Sequence, residues 1–168
     1  MSTAQASPQT SAIEEGTARR APMQLSNVEI VRLEYAAMRR RDLDEVLERL
    51  DPDIEWCEPA GVLPPPAGGG IRHGRRAVEK GVFETLPDYW SEFRVEPELF
   101  LDAGERVVVT GRFHCRAKET GREVSVPCVQ IWTLRGGKAV RMENHTHTAE
   151  LARALVQQPV QGRLSPGR

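Results

Sequence analysis

The chain has 168 residues and a mass of 18.8 kDa, with 39% hydrophobic and 28% charged residues, the balance of one globular domain. Lys and Arg number 23 against 24 Asp and Glu, a formal charge of −1, so the basic excess of a nucleic-acid binder is missing. No apolar run approaches the roughly 20 residues of a membrane span, which argues against a membrane partner.

Residues 1–25, rich in Ser, Thr, Ala, Gln and Pro without an apolar period, read as a flexible N-terminal tail. They lack the basic start and apolar centre of a secretory signal. Cys57, Cys115 and Cys128 form no CxxC pair and no even set, the usage of reduced thiols in a cytoplasmic protein. Each is read as a small buried hydrophobe rather than a reactive thiol. Residues 157–168, with Pro and Gly, read as a flexible C-terminal tail. Its Arg163 and Arg168 offset an acidic excess held in the folded segment 26–156.

Within 26–156 the first signal is a capping box, Ser26 with Glu29, before Val28, Val31, Tyr35 and Met38 at helical spacing, a helix to about Arg40. Asp42 starts a second helix with the stripe Leu43, Val46, Leu47 and Leu50, which Asp51-Pro52-Asp53 is expected to end. Ile54–Cys57 reads as a short strand. Pro59–Gly70 holds four prolines and four glycines and reads as a loop. A third helix is expected over Arg75–Leu86. Then come four strand candidates, Phe93–Leu101, Glu105–Arg116, Glu123–Leu134 and Ala139–His147, parted by Gly-bearing hairpin turns. A short helix, Ala149–Val156, closes the pattern, which is α+β: a curved sheet wrapped around helices.

Alternation assigns faces in part. Val107, Val109, Gly111, Phe113 and Cys115 oppose Val108, Thr110, Arg112 and His114, while Val140, Met142, Asn144 and Thr146 oppose Arg141, Glu143, His145 and His147. In the third strand candidate both faces are apolar, so pattern leaves open whether Gln130 points inward with Cys128 and Trp132 or outward.

The order and spacing of RDLDEVLERLDPDIEW, EPAG before the Pro/Gly loop, HGRRAV, FRVEPELFLDAGERVVVTGRF, VPCVQIWTLRGGKAVRM and HTHTAEL resemble the SnoaL-like, ketosteroid-isomerase-like branch of the NTF2-like superfamily across residues 26–156. The resemblance implies a cystatin-like cone. In it a strongly curved, mostly antiparallel sheet wraps three N-terminal helices and a short C-terminal helix, usually as a homodimer. It also implies a cofactor-free pocket for a small hydrophobic molecule.

Glu58 of the EPAG string resembles the Asp-Pro position that supplies the general base of ketosteroid isomerase, one methylene longer here, and suits removal of a proton beside a carbonyl. That enzyme's oxyanion is held by a Tyr and a protonated Asp. The Tyr position holds Glu34, with Tyr35 roughly 100° further around the helix. The Asp position holds Gln130, whose amide donates without any pKa shift. These departures argue against a steroid isomerase proper. They leave a base-catalysed isomerase, cyclase, dehydratase or hydrolase acting on a carbonyl compound or epoxide, or else a non-catalytic binding or dimerisation domain. The resemblance makes Tyr35, Trp56, Phe113, Trp132 and Met142 pocket walls and Asn144 an orienting group. His147, where many SnoaL-like sequences carry Asp, becomes a rim acid or base. A minor alternative is a metal site at Glu143-x-His145-x-His147, completed by His114 or His73.

Overall fold

The computed structural model describes residues 25–63 and 68–156; apart from Leu25, the two expected tails lie outside the described residues. Helix α1, Asn27–Arg40, starts on the expected capping box. The Glu29 amide donates to Ser26 Oγ, and the Glu29 carboxylate accepts from the Ser26 amide. Asp42 caps α2, Leu43–Arg49.

Strand β1, Leu50–Glu58, begins before Pro52 rather than after it. The proline is tolerated because β1 pairs with its parallel neighbour at Leu50 and again from Glu55, with an irregular stretch between, so no ladder bond is lost at residue 52. Residues 64–67 of the expected loop lie outside the described residues, and Gly70, its last residue, instead opens β2, Gly70–His73, paired antiparallel with Glu55–Glu58. Its pairing with β1 comes from backbone bonds that no side-chain period announces. The single expected third helix is broken into α3, Arg75–Val78, a π-helical turn, Glu79–Phe83, and α4, Leu86–Tyr89. The remaining strands are β3, Trp90–Ala103, β4, Arg106–Ala117, β5, Glu123–Arg135, and β6, Lys138–Thr146; α5, Thr148–Leu155, follows.

The six strands form one curved sheet in the order β2-β1-β6-β5-β4-β3. Every pairing is antiparallel except β1 with β6. On β4 the face of Val107, Val109, Gly111, Phe113 and Cys115 is the buried one. On β5 the structure resolves the open choice: Val126, Cys128, Gln130, Trp132 and Leu134 are buried. On β6 a bulge opposite Thr133–Leu134 turns Ala139 inward and leaves Val140 only half-buried, while Met142 and Asn144 stay on the inner face.

Two apolar clusters fill the concave side. One joins α1, β1 and the inner faces of β4–β6 around Tyr35, Trp56, Trp132 and Met142. The other packs Trp90, Phe113, Val126 and Leu151 under α4 and α5. Cys115 and Cys128 are buried free thiols whose pKa values burial raises to about 12 and about 11, while Cys57 is free and half-buried. Among the described residues no helix is long and apolar enough to cross a membrane.

Candidate active site

Residues two apart on a strand share a face, which puts Trp56 and Glu58 side by side at the end of β1. The Trp56 indole Nε1 donates to Glu58 Oε1 at 2.7 Å, and the Asn144 amide Nδ2 donates to Glu58 Oε2 at 2.8 Å. Asn144 reaches it because β6 runs parallel to β1, with Cys57 opposite Glu143. Each carboxylate oxygen thus has one donor fixed by the scaffold. Burial pushes the Glu58 pKa up; the Asn144 and Trp56 hydrogen bonds and the Arg72 cation oppose it without cancelling it. Glu58 as a residue is half-buried, while its carboxyl group is deeply buried between Trp56 and Asn144.

Arg72 stands opposite Trp56 in the β1–β2 ladder and sends its guanidinium across Gly81 of the π-helical turn. A Cβ at Gly81 would come within 2.5 Å of Arg72 Nε, so the glycine is what lets the arginine lie there. π-Helical turns recur at functional sites for this kind of local re-aiming.

Gln130 lies directly opposite Asn144 in the β5–β6 ladder, a pairing that brings the two side chains to about 5 Å. Its Oε1 accepts from the Tyr35 hydroxyl at 2.5 Å, which leaves its amide N–H groups as the donor side of the residue. The same Tyr35 oxygen accepts from Trp132 Nε1 at 3.2 Å. Trp132 packs edge-on against Trp56, with ring centroids 5.7 Å apart, and against Tyr35 at 6.1 Å. Glu58, Asn144, Gln130, Tyr35, Trp132 and Trp56 therefore form a closed circuit of hydrogen bonds, strand pairing and ring contacts. Asn144 Oδ1, next to Glu58 and Gln130, is buried without a donor.

The other expected residues stand elsewhere. Phe113 belongs to the second cluster, its ring 5.1 Å from Phe93. His147 stands at the N-cap position of α5 without a side-chain capping bond, is exposed, and its Nδ1 lies 3.5 Å from Glu150. Glu143 points outward and pairs with Arg141 at 3.1 Å, and His145 is exposed. Among the described residues no group of three His, Cys, Asp or Glu is placed to hold a metal.

Two groups were not singled out for roles here. Arg72 lies on a strand the periodicity does not reveal. Glu34 carries a legible signal, a charge within the apolar stripe of α1. It is 2% exposed with neither carboxylate oxygen hydrogen-bonded, and burial raises its pKa to about 8.

Several solved structures are similar to this chain. An NTF2-like protein of unknown function from Burkholderia pseudomallei is 36% identical, with 79% of this chain and 100% of that one covered and a TM-score of 0.73. An NTF2-like protein from Burkholderia thailandensis is 29% identical, covering 81% and 100%, also at 0.73. TerC, co-crystallised with polyporic acid, is 30% identical over 77% of this chain and 97% of its own, at 0.70. No curated protein matches the chain. The SnoaL-like domain family matches residues 31–142, and with this fold and these relatives the chain belongs to the SnoaL-like domain family of NTF2-like proteins.

Proposed function

We propose that the protein is a small-molecule enzyme in which Glu58 is the general base toward a hydrophobic carbonyl compound. The observation that carries this reading is the doubly anchored Glu58 carboxylate, whose proton affinity is raised by burial. A carboxylate so placed is a stronger base than one in water and is held in one orientation. It takes the proton from the carbon beside the carbonyl, the electron pair moves onto the carbonyl oxygen, and the Gln130 amide is the donor for that oxygen. Asn144 Oδ1 is an acceptor for a substrate hydroxyl. His147, exposed beside Glu150, has no part in this step.

A small organic ligand accords with the family, and TerC was co-crystallised with one, polyporic acid. Three free thiols suit the reducing cytoplasm. A second copy of the chain fits the outer face of the sheet. There Leu101, Val108 and Ile131 stand in one cross-strand row, and Leu99 and Leu101 are about half exposed.

The second reading, a non-catalytic binder, draws on how full the cone is: Trp132 and Met142 are 0% exposed and Trp56 3%. One experiment separates the two. Small apolar ketones that raise the melting temperature are incubated with the protein in heavy water, and exchange of the α-proton is followed by NMR. Wild type should exchange it. Glu58→Gln should keep the thermal shift and lose exchange by about 10²-fold or more. Equal exchange in both removes Glu58 as base, and binding without exchange in wild type leaves the binder.

A further inference from the structure

A second place on the molecule combines positive charge with an aromatic floor. Arg32, Ala36 and Arg39 line one stripe of α1, and the small Ala36 leaves a notch between the two arginines. The notch, 220 Å³ in volume, is closed on the far side by Val95, Pro97 and Phe100 of β3, with the Tyr35 ring as its floor. Its shape is built in. The β3 ladder slips between Pro97 and Leu99, and Gly111 on β4 lets the Pro97 segment press close, since a Cβ there would stand 3.0 Å from Pro97 Cα and nearer still to the Glu96 carbonyl.

The charges are uncommitted. Arg40 and Arg49 on the same helical layer both engage Glu45, whereas no ion pair of the described residues involves Arg32 or Arg39. Arg32 instead lies over the Phe100 ring, 4.2 Å from its centroid, which holds the guanidinium at the mouth of the notch. Tyr35 and Phe100 meet edge to face with centroids 5.6 Å apart. A cavity of about 150 Å³ accommodates one benzene. The notch therefore has room for one aromatic ring and a carboxylate, and guanidinium is the side chain best matched to a carboxylate.

We infer that the notch between α1 and the bulged segment of β3 binds a free aromatic carboxylate, its ring against Phe100 and Tyr35 and its anion at Arg39 and Arg32. The site is separate from Glu58 and does not rest on that residue's chemistry. An occupant touches the ring of Tyr35, whose hydroxyl bonds Gln130, so binding here has a direct route to the inner circuit.

The test uses the full chain and 4-ethylbenzoate as probe, followed by amide NMR. Saturable shifts are expected at Ala36 and Phe100, with a Kd that rises with salt. Arg39→Ala and Arg32→Ala, both changes to exposed side chains, should each weaken binding at least fivefold. The neutral 4-ethylbenzamide should bind more weakly than the acid by a similar factor. The inference is overturned if the probe gives no saturable shift, if the amide binds as well as the acid, or if neither arginine variant changes the Kd. Shifts centred on Asn144 and Cys57 rather than on Ala36 would also overturn it.

Discussion

The Tyr35 hydroxyl, 95 residues before Gln130 in the chain, donates to the Gln130 side-chain oxygen at 2.5 Å inside the apolar cluster. That bond fixes the rotamer of Gln130 and turns its amide N–H groups away from Tyr35. It also ties α1 to the centre of the sheet.

Tyr35→Phe keeps the ring and its packing but leaves Gln130 Oε1 and the Trp132 indole N–H buried without partners. Orphaning buried polar groups costs about 1–3 kcal/mol each, so a loss of about 2–6 kcal/mol for the two is expected in urea denaturation at unchanged m value. Full stability in the variant would show that the bond contributes nothing net.

Trp56→Phe removes the donor on Glu58 Oε1 while keeping an aromatic ring against Trp132. A hydrogen bond to the ionised carboxylate favours that form, so its loss moves the Glu58 pKa further up. The acid limb of any Glu58-dependent rate, or the ¹³C shift of the Glu58 carboxyl, should move to higher pH in the variant. A shift to lower pH would contradict the assigned geometry.

Glu34 makes stability depend on pH. Its folded pKa of about 8 lies above the ordinary 4.5, so the folded chain holds a proton that the unfolded chain has released between those values. The contribution is fully present below pH 4.5, falls as pH rises through that interval and is gone above about pH 8. The slope is at most about 1.4 kcal/mol per pH unit. The Arg49 cation opposes the rise without cancelling it, being engaged with Glu45 at 2.5 Å. Glu34→Gln should flatten the stability–pH curve across that window; parallel curves would assign the slope to other groups.

Ile131→Arg tests the proposed second copy. The side chain stands on the outer face of the sheet, opposite Val108 on one side and Glu143 on the other. A charge in the middle of a self-complementary apolar patch should convert a dimer to a monomer in sedimentation without changing the melting behaviour of the subunit. A dimer that survives the substitution places its interface elsewhere.

Much of the fold was legible because it is written in local chemistry. Ser26 with Glu29 and Asp42 mark helix starts by side-chain bonds to nearby amides, and glycines at 104, 121 and 136–137 mark turns by their positive φ. The four long strands follow from β-rich runs between those turns. Strand β2 was not legible, since four mostly exposed residues carry no face to bury. Nor was the π-helical turn, whose spacing matters only because Arg72 crosses Gly81.

The site divides the same way. Sequence alone determined that Glu58 follows a strand beside Trp56, that Met142 and Asn144 share a face, and that the chain is α+β with a sheet against helices, because periods of two and 3.6 residues fix which neighbours point together. The cone itself came from the family resemblance. Sequence did not determine which face of β5 is inner, that Asn144 and Trp56 both bind Glu58, that Tyr35 is held by Gln130, or that Phe113 and His147 lie apart from them. Those outcomes belong to strand register and sheet curvature, which are set by burial summed over the whole domain and not by any one segment.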